Sequence, residues 1–142
     1  MIRSLILAAA TRLLMPLLLL YALFLLWRGH NAPGGGFVGG LVAASAFVLH
    51  SLTAGVAASR RALWIDPSTL LSLGLGVALI SGIPGLVLGG TFMTAAWGTV
   101  EVGGSHLALG TPLLFDVGVF LAVLGVVLTI VFTLAEATLT GD

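Results

Sequence analysis

Four long apolar runs constrain this chain more than any other feature of its sequence. A helix needs about 20 mostly apolar residues to cross a hydrocarbon core of about 30 Å. Runs of this kind are predicted at residues 5–27, 36–56, 67–88 and 113–134. Of all residues 59% are hydrophobic and only 7% are charged, too few charges to cover a water-facing surface. The sequence therefore predicts an all-α integral membrane protein, one domain of four transmembrane helices over residues 1–142.

The first run is long enough to be a span and not a signal peptide. It extends from Leu5 to Trp27, about twice the length of a signal core, and no Ala-x-Ala cleavage pattern follows it. We expect it to be retained as the first helix, with Pro16 as a kink inside it. Trp27 and Arg28 are typical of an anchor at the membrane interface.

The remaining helix boundaries are marked by polar residues and prolines. A polar loop with Arg60 and Arg61 is predicted after the second helix. Asp66-Pro67 then forms a cap followed by a first-turn proline, which predicts the start of the third helix. Thr111-Pro112 predicts the start of the fourth helix in the same way. Between these two helices lies a long loop, 89–110, which we expect to rest on the membrane surface or on a neighbouring protein.

A glycine-rich hairpin is predicted between the first and second helices. Glycine accepts backbone angles that a β-carbon forbids and lets another helix approach closely. The residues of this motif are Pro33, Gly34, Gly35, Gly36, Phe37, Gly39 and Gly40. Three of the glycines spell Gly-x-Gly-x-x-Gly, but no strand precedes them and the helix that they open is a membrane span, so a dinucleotide site is rejected.

Small residues line one face of the second helix. Gly36, Gly39, Ala43 and Ala46 recur at three- and four-residue steps, which is typical of a face that packs closely against another helix in lipid. The same face leads to His50. This histidine is either hydrogen-bonded inside a helix bundle or part of a proton relay, because imidazole titrates near neutral pH.

Three further ionisable residues are candidates for an ion path. Arg12, inside the first helix, either extends to the cytoplasmic interface or pairs with an acid of a neighbouring subunit. Asp116, in the first turns of the fourth helix, either complements the helix dipole or lies on an ion path. Glu136 follows that helix, where we expect it to be interfacial.

Several classes of function are excluded by what the sequence lacks. It contains no cysteine, so thiol catalysis and disulfides are excluded. It contains no lysine either, which excludes a P-loop or a Schiff base. Three scattered histidines are no metal signature, and a net charge of zero gives no reason to expect a nucleic-acid partner. We predict no enzyme activity, cofactor or metal, and instead an accessory subunit that docks to other membrane helices and to lipid.

The arginines predict the orientation of the chain. Arg3, Arg12, Arg60 and Arg61 fall on one side of a four-span arrangement, and Arg28 falls on the other. The positive-inside rule then places both termini in the cytoplasm. We expect a multi-pass protein of a prokaryotic inner membrane. The glycine-rich hairpin and the long loop face outward.

Two separated motifs resemble one known family. The run from Gly29 to Gly40 (Gly-His-Asn-Ala-Pro-Gly-Gly-Gly-Phe-Val-Gly-Gly) is similar to a signature of the MnhB family, the B-type components of Mrp sodium/proton antiporters. The run from Gly110 to Val119 (Gly-Thr-Pro-Leu-Leu-Phe-Asp-Val-Gly-Val) resembles that family's second motif, and the stretch from Thr91 to Trp97 agrees with it. The resemblance covers nearly the whole chain.

This resemblance implies a small four-helix subunit of a monovalent cation antiporter. Its partners would be large subunits related to respiratory complex I and other small multi-span subunits, and the complex would exchange Na⁺ for H⁺. The proton-translocating lysines and glutamates of the family belong mainly to the large subunits. Similar MnhB-like subunits occur in membrane-bound hydrogenases, which leaves a structural role in such an assembly as the alternative.

Overall fold

The chain is built mainly of helices whose lengths follow its apolar runs. The computed structural model describes residues 5–28, 35–81, 83, 97–102 and 105–140; the strands and the first two and last two residues of the last helix are described by their backbone alone. The elements are α1 (Leu5–Arg28), α2 (Gly35–Ala54), α3 (Val56–Leu63), α4 (Pro67–Ile80), β1 (Trp97–Val102), β2 (Ser105–Gly110) and α5 (Thr111–Thr140). In this part of the chain four helical stretches are long and apolar enough to cross a membrane: α1, α2, α3 with α4, and α5. The predicted fold class is confirmed.

The connection between α2 and α4 differs from the predicted polar loop. Residues Val56–Leu63 form the short helix α3. Most of its residues are alanine, arginine or leucine, which favour a helix, so polarity alone was a poor guide. The helix ends at Trp64, whose φ of 69° is in the left-handed region. Asp66 then caps α4 by accepting a hydrogen bond from the Ser68 backbone N–H at 3.3 Å, with Pro67 in the first turn as predicted.

The end of the predicted long loop contains a β-hairpin. β1 and β2 pair antiparallel, from Trp97 opposite Gly110 to Val102 opposite Ser105. The dipeptide between the two strands is Gly-Gly, a common hairpin-turn sequence. This signal was overlooked because the segment was judged by its length and not by its turn chemistry. Residues 89–96 of the predicted loop, and 84–88 of the predicted third span, lie outside the described residues.

The four spans stand in a row. α2 packs between α1 and α5, and α5 packs between α2 and α4. The core lies along α2 and α5, where Ala44, Ala46, Leu128 and Phe132 are fully buried. α1 and α4 stand at the two ends of the row and keep large apolar faces exposed. Exposed side chains on these faces include Leu13, Leu17, Leu20, Leu75, Leu79 and Ile80.

Candidate functional site

Three helices meet at the start of α2 because that segment has almost no side chains. A Cβ on Gly39 would lie 2.9 Å from the carbonyl oxygen of Ala22 in α1 and 3.2 Å from the ring of Phe120 in α5. A Cβ on Gly36 would run into the carbonyl oxygen of Asp116. The backbones therefore touch directly, which is how helices gain packing energy in lipid, where the hydrophobic effect does not drive helices together.

The predicted motif residues divide into buried and exposed ones. Six of them are buried: Gly35, Gly36, Gly39, Gly40, Ala43 and Ala46. Phe37, by contrast, is 52% exposed and points away from this packing. Pro33 and Gly34 lie outside the described residues.

A second close contact joins α4 to α5 through glycines that the sequence analysis did not single out. A Cβ on Gly74 would overlap the backbone nitrogen of Ala122 and lie 2.6 Å from the carbonyl oxygen of Gly118. Gly125 touches the backbone of Pro67 and Leu71 in the same way. Gly118 and Gly125 are seven residues apart and share a helix face, a signal that was present in the sequence.

Asp116 lies at the end of the bundle where α2 begins. It is the sixth residue of α5 and is partly buried, and its backbone contacts Gly36. The N-terminus of α2, where Gly36 lies, and the first turns of α5 therefore meet at this end.

Arg12 and His50 are brought together at the opposite end. Both line a cavity of about 440 Å³ between the first half of α1 and the last turns of α2. The Nδ1 atom of His50 is 2.7 Å from the hydroxyl of Ser59, which is fully buried and lies 3.4 Å from the carbonyl oxygen of Phe47. α3 thus fixes the imidazole ring through Ser59, a role that sequence reasoning missed.

Glu136 is held by Arg60 in a forked ion pair. The Nε atom of Arg60 donates to one carboxylate oxygen at 2.7 Å and its Nη2 donates to the other at 3.2 Å. Asp66 is a more distant partner at 3.9 Å, and the guanidinium lies 5.2 Å from the ring centroid of buried Phe132. Arg60 therefore ties α3 to the start of α4 and to the end of α5.

The four ion-path candidates do not form one chain of polar groups. Asp116 contacts Gly36, and His50 is fourteen residues further along α2, about 21 Å at 1.5 Å per residue. The α2–α5 interface between them consists of buried apolar residues such as Ala43, Ala44 and Phe120. Among the described residues no group of three or more His, Asp or Glu side chains could hold a metal ion.

Taken together, these features define a class of protein: a small multi-pass membrane subunit with a closely packed centre and exposed apolar flanks. Residues 6–129 match the family model described as a domain related to the MnhB subunit of Na⁺/H⁺ antiporters. The chain belongs to this family, and the relatives named below are antiporter subunits.

Named relatives cover almost the full chain. It is 38% identical to the B-type subunit of the Na⁺/H⁺ antiporter of Bacillus subtilis (strain 168) over 136 residues, 94% of each chain. It is 35% identical to the antiporter subunit of the same name in Alkalihalophilus pseudofirmus, over 89% of this chain and 88% of the relative. In the structure of the Mrp complex from Dietzia sp. DQ12-45-1b, one chain superposes with a TM-score of 0.75 at 35% identity. That match covers 92% of this chain but only 14% of the longer one.

The Arg60–Glu136 pair makes the first testable prediction. Both side chains are partly exposed, at 33% for Arg60 and 47% for Glu136, so solvent weakens the pair and its coupling energy should be about 0.5–1 kcal/mol. Arg60→Glu should lower the melting temperature in detergent, and adding Glu136→Arg should restore part of the loss. A double-mutant cycle measures the coupling. Arg61→Glu is the control at the adjacent, exposed position. If the changes in stability caused by the Arg60 and Glu136 substitutions were strictly additive, the pairing would be contradicted.

Proposed function

We propose that this chain is an accessory subunit of a multisubunit Na⁺/H⁺ antiporter in a prokaryotic cell membrane. Its role is to join large, complex I-like subunits to small multi-span subunits. The assembled complex carries out the exchange of Na⁺ and H⁺. Family membership and the named relatives support this role. The hydrogenase-type alternative is favoured by no described feature, and the relatives named above are antiporter subunits.

One observation carries the assembly role. The four spans stand in a row with α1 and α4 at its ends, and each end keeps a wide apolar face exposed. Lipid or neighbouring transmembrane helices cover such faces in a membrane. The centre of the row holds close-packed alanine, glycine and phenylalanine in place of a polar channel. We therefore infer that ions pass beside this subunit and not along its α2–α5 interface.

The arrangement of cations supports cytoplasmic termini. Arg12 of α1 lines the same cavity as the last turns of α2. Arg60 of α3 forms an ion pair with Glu136 in the last turns of α5. Arg12, Arg60 and Arg61 thus belong to one end of the bundle, whereas Arg28 ends α1 at the other. The positive-inside rule assigns the end with more arginines to the cytoplasm.

Substituting Asp116 tests whether the chain assembles the complex or carries ions. Asp116→Asn keeps the shape of the side chain and one acceptor oxygen but removes its charge. We expect normal recovery of all subunits and at least about half of the wild-type exchange rate, because the Gly36 contact is made by the Asp116 backbone, which this substitution leaves unchanged. The rate is measured as Na⁺-driven pH change in inverted membrane vesicles, normalised to the amount of complex.

Three outcomes would change this conclusion. A tenfold or larger loss of exchange in fully assembled Asp116→Asn complex would place the residue on the ion route. Loss of the chain's partners without any effect on its own folding would instead make Asp116 a contact for another subunit. Exchange in vesicles that lack the chain altogether would overturn the accessory-subunit role itself.

A further inference from the structure

The cavity between α1 and α2 has features that helix packing does not require. Its volume is about 440 Å³, within the range of small-ligand pockets. One part of its wall is apolar, formed by Ala8, Met15 and Pro16. The other part carries Arg12, His50 and Thr53. This pairing of an apolar wall with a positively charged one suits a ligand that is itself amphiphilic.

The described residues of the polar wall include no acid that would balance Arg12. Among the residues that the structure describes, Arg12 has no carboxylate within ion-pair distance, although it lies seven residues inside a membrane span. A guanidinium at such a position is costly unless an anion or water meets it. His50 adds a second donor: the Ser59 hydroxyl occupies its Nδ1, so Nε2 remains for a ligand.

We propose that this cavity binds the phosphate group of an anionic phospholipid from the cytoplasmic leaflet. The planar guanidinium of Arg12 forms two parallel hydrogen bonds to the phosphate oxygens, the geometry in which arginine binds phosphate best. Where the Ser59 hydroxyl donates to Nδ1, the imidazole of His50 carries its proton on Nε2 and donates from there to the same anion. The apolar wall holds the first carbons of an acyl chain. The assignment to the cytoplasmic leaflet rests on the orientation given under the proposed function.

Position along the helices supports a head group as the occupant. Arg12 is about 10 Å from the start of α1, at 1.5 Å per residue, and His50 is four residues before the end of α2. A long arginine side chain reaches from that depth to the level of the phosphates. Basic pockets between transmembrane helices on the cytoplasmic side are typical sites for anionic head groups.

A lipid fits the surroundings better than a free phosphate or a partner's carboxylate. Leu5 is 84% exposed and Leu13 is 66% exposed, so α1 presents apolar side chains on both sides of Arg12 along its length. A free phosphate would leave the wall of Ala8, Met15 and Pro16 unused. A lone carboxylate from another subunit would leave it unused as well, whereas the hydrocarbon chain of a lipid would cover it.

The test is lipid retention by the intact complex, measured by native mass spectrometry in detergent with added phosphatidylglycerol. Arg12→Gln should weaken retention of one lipid about fivefold, the effect expected of one arginine near an anionic surface. Ala8→Phe should weaken it as well by filling the cavity while both donors stay in place. Arg61→Gln is the matched control: it removes a cation from α3, outside the cavity, and should retain the lipid like the wild type.

Each other outcome overturns the proposal in a defined way. Equal retention in Arg12→Gln and the wild type would show that Arg12 does not bind the lipid phosphate, which is the central claim of the proposal. Equal retention of net-neutral phosphatidylcholine would remove the anionic specificity. Displacement of the lipid by millimolar inorganic phosphate would identify a phosphate site, and loss of a subunit from Arg12→Gln complex with lipid unchanged would identify a protein carboxylate. Exchange activity is measured on the same samples, so failure of the lipid site and failure of the proposed function are distinguished.

Discussion

Replacing Gly74 with leucine is expected to separate α4 from α5 and to abolish recovery of the assembled complex. The clash involves the first atom of any side chain, because a Cβ at this position overlaps the backbone nitrogen of Ala122 and lies 2.6 Å from the carbonyl oxygen of Gly118. No choice of rotamer relieves it, and one of the helices has to move. Overpacking costs about 1–3 kcal/mol, and a clash against backbone belongs at or above the upper end of that range.

The chain supplies a matched control two residues away. Gly76 lies on the same helix, but a Cβ there would meet nothing within 4 Å. Leucine is favoured over glycine inside a helix by about 1 kcal/mol, so Gly76→Leu should be neutral or slightly stabilising. The measurement is the fraction of chain that stays in a monodisperse detergent peak after heating, together with the subunits that copurify with it.

The pair of variants separates packing from a general effect of added bulk. Equal loss in both would mean that leucine anywhere on α4 is harmful, and the α4–α5 contact would lose its support. Normal recovery of Gly74→Leu would contradict the contact directly. A milder variant, Gly74→Ala, should fall between the wild type and Gly74→Leu, because its single methyl group meets the same backbone atoms.

The spans were predictable because hydropathy and length alone decide them. A run such as Leu113–Leu134 cannot be placed in water and is long enough to cross the hydrocarbon core. The cap at Asp66 was predictable for a similar reason, since a side-chain acceptor followed by proline is a local signal. The motif resemblance added the family, which the family model and the named relatives confirm.

The order of the helices in the bundle could not be predicted in the same way. Every span is apolar nearly all round, so no single face marks its partner. The small residues of α2 indicated a close contact, but the row in which α5 lies between α2 and α4 depends also on Gly74, Gly118 and Gly125. These glycines stand among leucines and valines; the sequence analysis used Gly118 only as part of the second family motif and did not consider Gly74 or Gly125.

The candidate sites depend on contacts between residues far apart in the chain. Arg60 and Glu136 are separated by 76 positions, and nothing local to either residue names the other as its partner. Arg12 and His50 were each predicted as candidates but not as neighbours. Their shared cavity follows from the antiparallel packing of α1 on α2, which brings the first half of one helix beside the last turns of the other. Whether either residue takes part in ion transport stays a prediction.

The three-helix junction at Gly39 gives the second large expected effect. Gly39→Leu places a Cβ 2.9 Å from the carbonyl oxygen of Ala22 and 3.2 Å from the ring of Phe120. The ring can rotate away, but the carbonyl belongs to the backbone of α1, so α1 and α2 are forced apart. We expect a loss of about 1–3 kcal/mol in stability and reduced recovery of the chain with its partners, since displacement of α1 changes one exposed end of the row.

Val38→Leu is the control for Gly39→Leu. Val38 is the preceding residue and is 45% exposed, so one added carbon there points away from the junction and should leave recovery unchanged. Adding Phe120→Leu to Gly39→Leu should restore only a minor part of the loss, because the contact with the Ala22 carbonyl remains. Normal recovery of Gly39→Leu would remove the small-residue face of α2 from the account. Full restoration by Phe120→Leu would show that α2 docks on the Phe120 side chain and that its approach to α1 contributes little.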